Sequence, residues 1–328
     1  MPQNSAVYAV SRIRSRERTL FNRDAVKRLA GSSAKEALRM LIDANYGAMP
    51  DASILDTDAM IESELERTYE LVREVTTKPS LTDIFFLASD ITNLKLYIKI
   101  RITGSKETPA VARGGVYEPA ELKRMVENGD YKELPGAIAD AMADIEADIA
   151  ADRVDPAMIS VKLDQSYIDH AISSGDAFIQ AYFKATADFD NLIALARLSA
   201  LNAPVERLKK LLLSGGDIPK ELIIKHYLSP REQLSRELPA GQFKEQLKKG
   251  LEEYALSSNA MALERARDNA LMRFASRGKN EIDTIAPVIG FLLAKRQEAK
   301  VIRLIMTALR NGLSEEVINE RTRVLYGE

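Results

Sequence analysis

Cysteine is absent from the 328 residues, which removes thiol nucleophiles, disulfides, iron–sulfur clusters and thiolate zinc sites together. Histidine is nearly absent: His170 and His226 stand 56 positions apart and neither lies in a two-ligand spacing such as HExxH. A surface or packing role is expected for each. Long hydrophobic runs are missing too. The longest, Ile285–Ala294, is ten residues with Pro287 and Gly290 inside it, about half of what crosses a bilayer. No apolar stretch of signal-peptide length follows the N-terminal arginines, so secretion is not indicated. Nor does one sign of charge dominate: 46 Lys+Arg oppose 48 Asp+Glu, which leaves no bulk drive towards nucleic acid or acidic lipid. Gly278-Lys279 resembles the end of a phosphate-binding loop, but Arg273 fills the required upstream glycine position and Asn280 follows the lysine. With no GxSxG elbow either, nucleotide and acyl-transfer chemistry are unsupported, and no cofactor is expected.

What the chain does have is helical periodicity. Apolar residues recur at three- and four-residue steps, as in Ile61, Leu65, Tyr69, Val72 and Val75. Stretches such as 137–153 and 260–275 use strong helix formers, and no convincing alternation of β-branched residues occurs. The expected fold is all-α. The length fits two or three domains of about 100–150 residues.

Three segments resemble one another. Leu65-Glu-Arg-Thr-Tyr69 is followed 28 residues after its leucine by Asn93, in Asp90-Ile-Thr-Asn93-Leu-Lys-Leu. Leu163-Asp-Gln-Ser-Tyr167 is followed at the same spacing of 28 by Asn191, in Asp188-Phe-Asp-Asn191-Leu-Ile-Ala. Leu263-Glu-Arg-Ala-Arg267 leads, over a gap six residues longer, to Gln297. Each copy then carries a turn signature: Gly114-Gly115 with Pro119, Gly215-Gly216 with Pro219, Gly312 with Ser314. Glycine is expected to end one helix at the left-handed position after its C-cap, and Pro or Ser to open the next. A unit of about 100 residues can bury its own core, so three similar helical domains are expected: 1–112, 113–210 and 211–328, with the chain termini free to pack across domains. The boundaries follow the concentration of Pro109, Gly114-Gly115, Pro204 and Gly215-Gly216. Asn93, Asn191 and Gln297 are expected to be structural repeat positions, buried amides that bond between helices.

Charge is distributed unevenly. Residues 1–30 hold seven basic and two acidic side chains, and 133–176 hold ten acidic and two basic. Asp140, Asp144, Asp148 and Asp152 recur every four residues, an expected stripe of carboxylates along one helix face. Such a stripe serves as a solvated face, as a contact for a basic partner, or as a magnesium site in an all-α enzyme. The third reading lacks the paired DDxxD spacing. Arg12 and Arg14 are the matching candidates for contact with an acidic partner, beside the plainer reading of an exposed helix face. No catalytic, cofactor-binding or metal-binding residue is assigned.

The order of these elements resembles the C subunit of the bacterial and archaeal V/A-type ATPases, a family related to the d subunit of the eukaryotic vacuolar pump. Tyr8-Ala-Val-Ser-Arg12-Ile-Arg14-Ser-Arg16-Glu-Arg18-Thr-Leu20 resembles the family's first helix, and Ala37-Leu38 through Leu41-Ile-Asp-Ala-Asn-Tyr46-Gly47 its second. Asp90 to Lys99, the Ser214–Ile218 turn, Ile302 to Leu313 and Glu320 to Gly327 fit as well. Two features depart from the pattern: Thr92 stands where His would be looked for, and 137–153 is unusually rich in Ala and Asp. The resemblance implies three helical domains about a pseudo-threefold axis, shaped as a funnel or socket. It implies a non-catalytic rotor part with no cofactor, monomeric alone and present once per complex. The implied partners are the D and F subunits of the central stalk and the membrane proteolipid ring, with no nucleic acid and no membrane span. The implied place is peripheral, on the cytoplasmic face of the membrane. Two other classes stay open: a helical scaffold for an unrelated partner, and a magnesium-dependent all-α enzyme using the Asp140–Asp152 stripe.

Overall fold

A computed structural model describes residues 5–105 and 110–327. The described residues form helices and turns with no strand. In chain order the α-helices are α1 (Ala6–Glu17), α2 (Arg23–Ala30), α3 (Ala34–Asp43), α4 (Thr57–Val75), α5 (Pro79–Thr103), α6 (Pro119–Asn128), α7 (Gly136–Ala150) and α8 (Pro156–Ser173). They continue with α9 (Ala177–Ala200), α10 (Val205–Leu211), α11 (Lys220–Lys225), α12 (Arg231–Glu237), α13 (Lys244–Ser257), α14 (Met261–Arg277), α15 (Ala286–Arg310) and α16 (Glu315–Arg321). Pro109, one of the boundary signals, lies outside the described residues.

Contacts gather the chain into two units: Met1–Thr82 with Met272–Glu328, and Asp83–Leu271. In the first unit α15 is the central helix and packs against α1, α2, α3, α4 and α16. Its N-terminal half is the apolar run noted in the sequence, opened by Pro287 in the first turn, where a missing N–H costs nothing. Burial explains that run without a membrane: Ile289, Phe291 and Leu292 lie in the core with Ile13, Leu41, Met60, Ile61 and Val72. Side chains of this size contribute about 1.5–3 kcal/mol each on burial. Among the described residues no helix is long and apolar enough to cross a membrane. Helix starts obey local chemistry. At α3 the Glu36 N–H donates to Ser33 Oγ at 3.3 Å and the Ser33 N–H donates back to the Glu36 carboxylate at 2.9 Å.

In the second unit one core joins α5, α6, α7 and α8 through Leu94, Ile98, Leu122, Met142 and Leu163. Another surrounds α9, whose Phe189, Leu192 and Leu195 are fully buried. An aromatic group of Phe85, Tyr167, Tyr182 and Phe183, with ring centroids 5.0–5.6 Å apart, joins α5, α8 and α9 through edge-to-face contacts and one tilted pair, Phe85–Phe183. Asp176 caps α9 by accepting from the N–H groups of Phe178 and Ile179.

Candidate functional site

The repeated amides form the most regular polar constellation. Asn93 on α5 and Asn191 on α9 are each 1% exposed, so every polar atom they carry needs a partner. Asn93 Nδ2 donates to the Ala112 carbonyl at 2.8 Å, and the Ala112 N–H donates back to Asn93 Oδ1 at 2.8 Å. Asn191 does the same with Leu213, at 2.9 and 2.7 Å. One turn earlier an aspartate completes the clamp. Asp90 accepts from the N–H groups of Val116 at 2.7 Å and Tyr117 at 3.4 Å. Asp188 accepts from those of Asp217 at 3.0 Å and Ile218 at 2.9 Å. Burial pushes the Asp188 carboxyl up to about 6, against the pull of its two N–H donors.

The glycine pairs exist for this clamp. Gly114 and Gly215 adopt φ of 71° and 94°, and a Cβ on Gly115 or Gly216 would sit 2.0 or 2.1 Å from a carboxylate oxygen of Asp90 or Asp188. Only glycine leaves room for the oxygen to reach the N–H groups beyond. This revises the expectation that these glycines directly follow a helix C-cap. Gly114 and Gly115 lie well past the end of α5 at Thr103, and Gly215 and Gly216 lie past the end of α10 at Leu211. The amides likewise bond to loop backbone instead of to a neighbouring helix. At the third copy the helix-end expectation does hold: Gly312, with φ of 68°, follows the α15 C-cap Asn311. There, however, Ala294 occupies the aspartate position, and Gln297, 5% exposed, leaves its Nε2 without a partner among the described residues.

The carboxylate stripe is shorter than expected. Asp140, Asp144 and Asp148 lie on α7, but the helix ends at Ala150, and Asp152 has left-handed backbone with φ of 53°. Asp140 and Asp144 are exposed. Asp148 pairs with Lys162 of α8 at 2.6 Å and more loosely with Arg153 at 3.8 Å, and these cations hold its carboxyl below the usual range. Part of the charge on this face is therefore compensated within the chain. No cluster of metal-ligating side chains occurs among the described residues.

The two N-terminal arginines have different duties. Arg14 bonds to Glu17 at 2.7 Å, to Asn280 Oδ1 at 3.0 Å and to the Lys279 carbonyl, tying α1 to the turn after α14. The Gly278-Lys279 pair serves as an acceptor there. Arg12 meets Glu74 at 3.5 Å. Of the histidines, His170 is half-buried and its ring is held below the usual pKa by burial. His226 is buried with Nε2 3.1 Å from Glu237.

Sequence patterns gave no notice of the charged groups buried inside apolar helices. Lys295 on α15 is 2% exposed and lies 2.8 Å from both Glu64 and Glu298. Glu298 also accepts from the Phe21 N–H at 2.6 Å. Burial alone would lower the Lys295 ammonium, but the two carboxylates outweigh it and hold it raised. Two half-buried pairs accompany it: Arg101 forms a two-pronged bond with Glu146 at 2.7 and 2.8 Å, and Arg267 pairs with Asp190 at 2.6 Å. A lysine and a glutamate three apart within a long apolar helix was the available signal.

These geometries describe a chain whose buried polar groups hold loops and helices together. The family model described as ATP synthase (C/AC39) subunit matches residues 9–321. The chain belongs to this family. It is 22% identical over 320 residues to the C subunit of the V-type sodium ATPase of Enterococcus hirae, covering 96% of this chain and 97% of that one. The C subunit of the A-type ATP synthase of Halorubrum lacusprofundi is 21% identical over 332 residues, covering 95% of each chain. That of Thermococcus kodakarensis is 22% identical over 334 residues, covering 95% of this chain and 89% of the relative. In this C/AC39 member the opening signature Tyr8–Leu20 spans α1 and the turn that ends it, and both aspartate–asparagine clamps lie within the matched segment.

Proposed function

We propose that the chain is the non-catalytic central-rotor subunit of a V/A-type ATPase. It sits on the cytoplasmic face of the membrane, one copy per complex, between the D and F subunits of the stalk and the proteolipid ring. It passes torque between ATP turnover and the movement of protons or sodium ions. The observation that carries this reading is the end-to-end family match, with relatives named as the C subunit of V-type and A-type complexes across nearly their whole length. A torque coupling has to be stiff. Close-packed helical interiors resist compression, and loops tied through buried four-bond clamps lose the freedom that loops otherwise keep. The recurrence of that clamp 98 residues on, Asn93 to Asn191, supports two related repeats; with the third, unclamped copy, the domains of this reading are 1–112, 113–210 and 211–328 about a pseudo-threefold axis, forming a socket.

Contacts with the stalk use the exposed acidic face of α7, through Asp140 and Asp144 with Asp148 and Asp152 beside them, and Arg12 on the basic N-terminal segment. Calorimetric titration of the chain with the D–F pair across a salt series tests the reading. The expected result is a stoichiometric complex that weakens as salt rises. Failure to bind the pair, together with failure of the proteolipid ring to retain the chain, would leave a helical scaffold for an unrelated partner. Charge reversal at Asp144 and Asp148 tests the acidic face separately; unchanged affinity and salt slope would remove it from the interface.

A further inference from the structure

The chain contains two Asn-Gly steps, Asn128-Gly129 and Asn311-Gly312, and both stand at the C-terminal end of a helix, α6 and α15. Each glycine has left-handed backbone, with φ of 66° and 68°, and open space where a Cβ would stand. A helix end that turns this way calls for glycine. Both asparagines are exposed. What separates the two steps is the asparagine side chain. Asn311 Nδ2 donates to the Thr307 carbonyl at 2.9 Å, which turns the carboxamide back along α15 and away from the Gly312 nitrogen. The carboxamide of Asn128 makes no hydrogen bond among the described residues. The backbone differs in the same direction. The Gly129 and Asp130 N–H groups share a single acceptor, the Met125 carbonyl, whereas those of Asn311, Gly312 and Leu313 are spread over the carbonyls of Thr307, Ala308 and Leu309. Fewer bonds must therefore open to free the end of α6 than to free the end of α15.

We propose that Asn128 is a site of spontaneous covalent modification, deamidation through a cyclic imide, and that Asn311 is its protected counterpart. The Gly129 amide nitrogen, having given its proton to hydroxide, attacks Cγ of Asn128. The new N–Cγ bond forms, the Cγ–Nδ2 bond breaks, and the side-chain nitrogen leaves as ammonia with a proton taken from solvent. Water then opens the imide at either carbonyl, leaving aspartate, or isoaspartate with the main chain rerouted through the side-chain carbons. Water is the co-reactant, and nothing is oxidised or reduced. Glycine suits the step because it has no side chain to shield its nitrogen and a backbone free to reach the attacking geometry. The product sets a carboxylate between Glu127 and Asp130, at a helix end where the carbonyl dipoles already gather negative charge. The change is one-way, and it falls on the helix that gives Leu122, Met125 and Val126 to the core it shares with α5, α7 and α8. The site follows from the two turns alone and does not depend on the rotor reading.

The test incubates the full chain at neutral pH and physiological temperature. Each asparagine is read by peptide mass mapping, and isoaspartate by methyl transfer from a protein isoaspartyl methyltransferase. Asn128 is expected to convert at least about fivefold faster than Asn311, and faster still at mildly alkaline pH, where hydroxide is more abundant. In urea, where both turns are lost, the two rates should agree within about twofold, since both steps are Asn-Gly. Asn128→Gln should remove most of the isoaspartate that the folded chain forms. Conversion of Asn311 as fast as that of Asn128 in the folded chain, a difference between them that persists in urea, or an Asn128 that stays intact while the urea-unfolded chain converts would each overturn the proposal.

Discussion

The two clamps in the Asp83–Leu271 unit and the unclamped Gln297 position in the other unit solve the same problem differently. Where Asp90 with Asn93 and Asp188 with Asn191 seize the backbone of a distant loop, four hydrogen bonds fix the loop and a glycine pair makes room for the carboxylate. Where Gln297 stands, the turn closes on its own helix, with the Gly312 N–H on the Leu309 carbonyl and the Leu313 N–H on that of Ala308. The polar investment there moves to the Lys295–Glu64–Glu298 group, which crosses from α15 to α4 and to the Phe21 backbone. A repeat can thus keep its helix pattern while its buried polar groups change from loop clamps to helix ties.

The largest effect is expected where that substitution is complete. Lys295→Met leaves the Glu64 and Glu298 carboxylates without their shared cation and should cost about 3–5 kcal/mol in urea unfolding. Adding Glu298→Gln, which keeps an acceptor for the Phe21 N–H, should recover much of the loss. Next come the amides. Asn93→Ala and Asn191→Ala each strand a buried N–H and carbonyl and should cost about 2–3 kcal/mol, whereas Gln297→Met should be neutral or slightly stabilising because its Nε2 has no partner to lose. Equal costs at all three positions would erase the contrast between clamped and unclamped copies.

The glycines sharpen it further. Gly216→Ala drives a methyl into Asp188 and should cost about 1–3 kcal/mol, most of it relieved in an Asp188→Ala background. Gly312→Ala has open space around its Cβ and should cost about 1 kcal/mol from its left-handed backbone alone, with no coupling to neighbours. The smallest effect is the pH dependence of the second clamp. The folded-state pKa of Asp188 is raised to about 6, above the unfolded value near 3.9. Its contribution to stability is therefore full below about pH 4 and lost as pH rises through about 6. Between pH 7 and pH 5 the wild-type chain should gain about 1 kcal/mol from this group, a gain absent in Asp188→Asn; parallel pH profiles of the two proteins would contradict the assignment.

Much of this was legible in the sequence, and the remainder fails for identifiable reasons. Helical periodicity and the lack of β-branched alternation gave the all-α class, and two identical spacings of 28 residues pointed to Asn93 and Asn191. Their partners were not legible, because Ala112 and Leu213 contribute only backbone, which carries no side-chain signal. The carboxylate stripe was overextended to Asp152 because alanine and aspartate continue past the true helix end at Ala150 with no glycine or proline to mark it. Arg14 read as a surface charge because its acceptors, Lys279 and Asn280, lie more than 260 positions away.

The absence of cysteine makes the rotor assignment directly testable in the assembled complex. A single cysteine at the exposed Asp144 position, cross-linked through a flexible reagent to the D or F component of the stalk, joins two parts that turn together in a rotor. ATP hydrolysis and coupled ion transport should then continue at the rate of the uncross-linked complex. A cross-link that halts turnover would place the chain on the stationary side of the machine and contradict its role in the rotor.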